Sequence, residues 1–242
     1  MSSKIELQAI HLCKSYRKKE ALKDVNFILE KGVYGLLGEN GAGKSTTIEC
    51  ILGTKTTDSG KVSVLTLDPC KDRRRLFQKV GVQFQECDYQ PEIKVSELCE
   101  ETACLYKVPA DWKKLCTQFG LANKTNSAVK SLSGGERQRL FIVLALIPNP
   151  QIVFLDELTT GLDTKARRDV WKILEQLKNQ GMTIFLTSHF MDEVEALCDE
   201  ICILKKGRIA FYGTITQAIE KSGCEKFEDA YLTLSGEGVD AE

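Results

Sequence analysis

Apolar and polar residues alternate at period two over Ile5–Ile10 and again over Val25–Glu30, which predicts two short strands of a small antiparallel sheet. The pattern then becomes continuous. Val33–Leu37 reads as a buried strand and Thr46–Leu52 as a helix, with Gly60–Leu65 and Lys79–Gln85 as further strands. From about Val95 to Gly120 the spacing is helical and β-branched residues are few, so Ser96–Tyr106 and Asp111–Phe119 predict an inserted helical lobe. Gln151–Glu157 and Met182–His189 are buried strands flanking a helix from Thr164 to Gln180. Ile201–Leu204 and Arg208–Tyr212 form a hairpin around Lys206-Gly207, and the tail from Gly223 through Phe227 to Leu234 is short and helical at most. The expected class is α/β: a mostly parallel core sheet, a small N-terminal antiparallel β-subdomain and an inserted α-helical subdomain.

Composition narrows the setting. The chain has 242 residues with 33 basic and 34 acidic side chains spread along its length, which argues against a nucleic-acid-binding face. Lys71–Arg75 is the one basic cluster and reads as a solvated surface segment. The longest apolar run, Leu140–Ile147, ends at Pro148 and is far short of the ~20 residues that cross a bilayer. Met1–Glu6 lacks the apolar centre of a signal peptide, so a soluble protein that stays where it is made is expected. The 10 cysteines show no regular Cys-x-x-Cys spacing and are expected to be free thiols. Cys198 and Cys202 would share a helix face, but with His11 and His189 the only histidines a zinc site is not expected.

The candidate chemistry centres on Gly38-Glu39-Asn40-Gly41-Ala42-Gly43-Lys44-Ser45-Thr46, a P-loop between a strand and a helix. Glycines 38, 41 and 43 leave the backbone free to turn its N–H groups toward an anion, and the helix start adds its positive end. Lys44 is placed to meet the β- and γ-phosphates and Ser45 to ligate Mg²⁺. Asp156 and Glu157 end a buried strand, where Asp156 suits Mg²⁺ and Glu157 suits a general base acting on water. Ser133 and Glu136 are spaced as a capping box, and Gly134 and Gly135 just inside that helix predict a second phosphate-facing helix end. Asp163 is placed to cap the next helix. Tyr16 offers a ring on which adenine could stack, and His189 ends a core strand.

Taken in order, Tyr16, the P-loop, Gln85, Leu132-Ser133-Gly134-Gly135-Glu136, Asp156-Glu157, Asp163 and His189 resemble the ATP-binding-cassette nucleotide-binding domain over nearly the whole chain. The resemblance implies one cassette, with residues 1–85 and 148–222 as the ATP-binding core, 86–147 as the helical subdomain carrying the signature, and 223–242 as a tail. It implies ATP hydrolysis, with ATP and Mg²⁺ as cofactors. The implied catalytic set is Glu157, His189 and Gln85, with Ser45, Gln85 and Asp156 at the metal. Tyr16, Gly38, Asn40, Gly41, Gly43, Lys44, Ser45 and Thr46 would hold the nucleotide, Ser133 and Gly135 would cap it from a second subunit, and Asp163, also at the nucleotide site, would link the two halves. The family's proline after the Asp-Glu pair is Leu158 here, which is expected to cost loop rigidity. The run from Thr187 to Asp199 looks like the ATPases of bacterial drug- and peptide-export systems. That likeness implies a homodimer, or a heterodimer with a related subunit, on the inner face of the plasma membrane beside a permease of about six helices. The alternative is a non-transport cassette ATPase acting on DNA, ribosomes or iron–sulfur assembly, which co-purification with ribosomes or salt-sensitive DNA binding would favour.

Overall fold

The computed structural model describes residues 5–17, 19–83, 89–90 and 92–236. In chain order its elements begin with β1 (Leu7–Tyr16), β2 (Lys19–Leu29), β3 (Val33–Leu37), α1 (Lys44–Ile51), β4 (Ser59–Val64), α2 (Arg73–Leu76) and β5 (Val80–Gln83). There follow α3 (Val95–Cys104), α4 (Trp112–Gln118), α5 (Gly134–Leu146), β6 (Ile152–Asp156), α6 (Thr164–Asn179) and β7 (Thr183–Thr187). The chain closes with α7 (Met191–Leu197), β8 (Glu200–Lys205), β9 (Arg208–Gly213), α8 (Ile215–Ser222) and α9 (Phe227–Ser235). Two compact units result, one of residues 1–76 with 185–242 and one of residues 77–184.

The first unit holds the expected antiparallel sheet, in the order β2-β1-β4. Its first hairpin is longer than the alternation predicts. Beyond Ile10, where the alternation stops, β1 continues to Tyr16, and Lys19 pairs with it directly. The reason is a phase slip: Leu7, Ala9 and Leu12 are all buried, and the register shifts between Ala9 and Leu12, so a bulge breaks the period that marks a strand. His11 takes a left-handed φ of 52° at that bulge, and its Nδ1 lies 2.6 Å from Asp24. In the same unit β3 pairs in parallel with β8, and β9 closes that edge antiparallel.

The tail is more than the sequence pattern promises. It forms α9, after a helix α8 that the pattern does not mark, and Phe227 and Tyr231 enter a cluster with Leu37, Val194, Ile201, Ile203, Phe211 and Ala218. Helices of eight and nine residues are marginal in isolation, and packing of their apolar faces gives them their order. Cys198 and Cys202 also part from expectation: Cys198 caps the end of α7 and Cys202 sits in β8, so they share no helix face. The cysteines among the described residues are free thiols.

In the second unit β5 and β6 run parallel, with Val80 opposite Ile152 and Gln83 opposite Leu155. Helix α5 crosses this pair so closely that a Cβ on Gly81 would stand 1.9 Å from the carbonyl oxygen of Ala145. The helices predicted in the inserted lobe are present as α3 and α4. Among the described residues no helix is long and apolar enough to cross a membrane.

Phe227 is 1% exposed, so Phe227→Ala should destabilise the fold by about 3–5 kcal/mol. A lowered urea midpoint with unchanged slope would show this, whereas an unchanged midpoint would mean that the last helix is not part of the core.

Candidate functional site

In the first unit the phosphate loop runs from the fully buried β3 into α1. Its shape is dictated by what lies behind it. A Cβ on Gly38, where φ is +146°, would meet the Leu204 carbonyl oxygen at 2.5 Å, and one on Gly43, where φ is +114°, would meet Ala21 O and Leu22 Cδ2 at 2.8 Å each. No side chain fits at either position. The loop is tied further by Ala42 N donating to Glu39 O at 3.0 Å and Gly207 N donating to Ala42 O at 2.9 Å.

Helix α1 starts at Gly43 with no side-chain cap and no acidic residue in its first turn. Its leading N–H groups therefore keep their preference for an anion. Lys44 is buried and arches over the loop, its Nζ donating to Gly38 O at 2.6 Å and Glu39 O at 3.3 Å. Asn40, Gly41 and Ser45 are exposed and Thr46 is half-buried, which leaves the loop's outer side open to a ligand.

Tyr16, at the end of β1, is 41% exposed. Lys14 Nζ stands 5.5 Å from its ring centroid and is itself held by Asp58 at 3.0 Å. Asp58 also accepts from Ser15 N at 2.6 Å, so one carboxylate anchors the strand and the cation beside the ring. The sequence pattern does not reveal this clamp, because 44 positions separate Lys14 from Asp58. After β7, Ser188 is buried and donates to Glu193 while accepting from Phe190 N at 3.0 Å, which fixes the backbone on both sides of the exposed His189.

In the second unit Asp156 ends the buried strand β6 and is itself buried. Glu157 follows in the left-handed region at φ 50°, a conformation that costs a non-glycine residue about 1–3 kcal/mol and marks functional sites when it persists. Leu158 and Thr159 are buried, so packing anchors this turn at the position where the resemblance led us to expect proline and looser structure without it.

The capping box of α5 is formed as expected: Glu136 N donates to Ser133 Oγ at 3.3 Å and Ser133 N donates to Glu136 Oε2 at 2.9 Å. That backbone hydrogen bond, helped by Lys124 at 3.1 Å, holds the Glu136 carboxyl below the usual glutamate range. The two glycines have distinct surroundings. A Cβ on Gly135 would come within 3.1 Å of Ala166 Cβ on α6, a tight contact that favours glycine there, while Gly134 has room. Asp163 caps α6 by accepting from Ala166 N at 2.8 Å. The N-termini of α5 and α6 thus open onto one depression of about 390 Å³, lined by Ser133, Gly135, Arg139, Gly161, Asp163 and Lys165 among others. Gln85 lies outside the described residues.

Comparison with known proteins decides the family: residues 22–160 match the model for the ABC transporter ATP-binding domain. The chain belongs to the ABC transporter family. As such a cassette it binds ATP and hydrolyses it in the service of transport. It is 40% identical over 223 residues to the Nod factor export ATP-binding protein I of Rhizobium etli, covering 89% of this chain and 70% of that protein. It is 36% identical over 236 residues to the linearmycin resistance ATP-binding protein LnrL of Bacillus subtilis, covering 95% of this chain and 75% of that one. A solved ATP-binding subunit of an ABC transporter superposes on the cassette with a TM-score of 0.86 at 25% identity, over 96% of this chain and 100% of that one.

Because Glu157 is held at positive φ, Glu157→Gly should be more stable than Glu157→Ala by about 1 kcal/mol, read as a higher denaturant midpoint. Equal midpoints would mean that the left-handed backbone carries no strain. Glu136 gives a pH dependence. Its lowered pKa contributes stability above the ordinary value of about 4.3 that is lost as pH falls through the folded-state value. Glu136→Gln, which keeps an acceptor for Ser133 N but does not titrate there, should flatten the acid limb of a stability–pH curve; an unchanged limb would remove Glu136 as a contributor.

Proposed function

We propose that this cassette powers export through a separate membrane permease, working as a pair of cassettes that close on two ATP·Mg²⁺ and reopen after hydrolysis. Cassettes of the family work as dimers with a permease. The observation that carries the reading for this chain is the depression at the paired N-termini of α5 and α6. It lies within the second unit, with the cations Arg139 and Lys165 and the carboxylates Glu136, Asp163 and Asp169 in its lining. A chain with one phosphate loop and one such depression is suited to lend the second to a partner's nucleotide. Export is favoured by the two relatives, one named for Nod factor export and the other for linearmycin resistance. The cassette itself would lie on the cytoplasmic face of the plasma membrane, attached through a permease of about six helices, with no nucleic-acid partner.

In this reading Gly38, Asn40, Gly41, Gly43, Lys44, Ser45 and Thr46 hold the phosphates and Tyr16 stacks on adenine. Ser133 and Gly135 reach the nucleotide of the partner cassette, and Asp163 links the two halves. Glu157 accepts the proton of the attacking water, His189 contacts the γ-phosphate, and Gln85 orients the water. By their side-chain chemistry Ser45, Asp156 and Gln85 offer the hard oxygen donors that Mg²⁺ takes. When bound, Mg²⁺ would supply charge neutralisation at the phosphates. Closure follows from differential binding, since the Ser133 and Gly135 contacts to ATP exist only in the closed pair.

Glu157→Gln should bind ATP normally, lose phosphate release by about 10²–10⁴-fold and accumulate as dimers in light scattering. Normal turnover would remove Glu157 from the role of base, and a monomer at saturating ATP and Mg²⁺ would overturn the shared-nucleotide reading. If a neighbouring reading frame encodes a protein with several spans of about 20 apolar residues, co-expression with it and vesicle reconstitution should give ATP-dependent movement of a compound out of the cassette-bearing compartment.

A further inference from the structure

The hairpin that presents Tyr16 also presents a cation to the phosphate loop. Lys19, the first residue of β2, pairs with Tyr16 across the turn, so the two side chains belong to one rigid end of the sheet. The Lys19 ammonium lies 3.9 Å from the point at which a Cβ on Gly41 would stand. Gly41 occupies the middle of the loop at φ 80°, on its exposed side. Of the other lysines on β1 and β2, Lys14 is held by Asp58 at 3.0 Å and Lys23 by Glu20 at 3.3 Å, while Lys205 and Lys206 border Gly41 from the β8–β9 side. Among the described residues no carboxylate pairs with Lys19.

An exposed lysine is ordinarily just a solvated charge, and it is the placement that sets this one apart. Its hairpin partner is the ring on which the base would stack, and its ammonium is at the lip of the loop that would hold the phosphates. We propose that Lys19 is a nucleotide-binding residue, a second ammonium beside Lys44 that meets the polyphosphate and so selects nucleoside di- and triphosphates over nucleosides. The proposal rests on the reading that Gly38–Thr46 holds the nucleotide. Lys44 is buried and directed along the inside of the loop, whereas Lys19 is exposed and reaches it from the β-subdomain. The contribution of Lys19 should therefore be smaller and more sensitive to salt.

Calorimetric titration of the whole chain with ATP and with adenosine tests this. Lys19→Ala should weaken ATP by about fivefold at low ionic strength, the scale of one exposed ion pair, and by less in about 0.5 M salt. Adenosine affinity should be unchanged, and Lys19→Arg should recover most of the loss. Unchanged ATP affinity in Lys19→Ala would overturn the assignment, as would equal losses for ATP and adenosine, since these would report a deformed hairpin. Lys44→Ala serves as the reference and should abolish ATP binding. If it retains ATP affinity, the loop assignment fails, and the assignment of Lys19 fails with it.

Discussion

A run of backbone N–H groups can hold a polyphosphate only if the chain behind it cannot move, and the phosphate loop meets that condition by close packing. The carbonyl oxygens of Ala21 and Leu204, one from β2 and one from β8, press on Gly43 and Gly38 at distances that exclude even a methyl group. Glycine is needed here for two reasons at once, the positive φ and the missing volume. The loop is therefore shaped by the antiparallel β-subdomain on one side and the core sheet on the other. This explains why a small extra sheet is attached to an otherwise parallel core: it is the second wall of the loop and also carries Tyr16.

Much of this is legible in the sequence, because phosphate binding and strand burial leave local marks. The loop, the strand before it, β6 with its two terminal acids, and the capping boxes are all spelled by neighbouring residues. What is not legible depends on distant partners. The bulge at His11 shifts the alternation of β1 by one residue, so the sequence reads as a strand ending early. Helices α8 and α9 look marginal in isolation and gain their order from the cluster around Phe211 and Ile203. Gly135 is readable as a site glycine, but its contact with Ala166 is visible only in three dimensions.

The same division runs through the candidate site. Asp156 and Glu157 are adjacent in sequence, yet the fold treats them differently. Asp156 completes a buried strand in regular conformation, while Glu157 is turned into the left-handed region immediately after it. A regular strand would point the two carboxylates to opposite faces of the sheet. The change of backbone conformation at Glu157 is what frees its direction from that rule, and the buried Leu158 and Thr159 resist its relaxation.

The seam between α5 and α6 has a mechanical meaning. Where Gly135 meets Ala166 there is no side chain long enough to change rotamer, so the two helix starts cannot slide by small adjustments. Ser133 and Asp163 are each fixed to the first turn of their own helix by a cap, and the turns are fixed to each other by this contact. The pair behaves as a two-pronged gauge of constant span. A ligand entering the depression between them would meet groups whose spacing is already set, and would lose little free energy to ordering them.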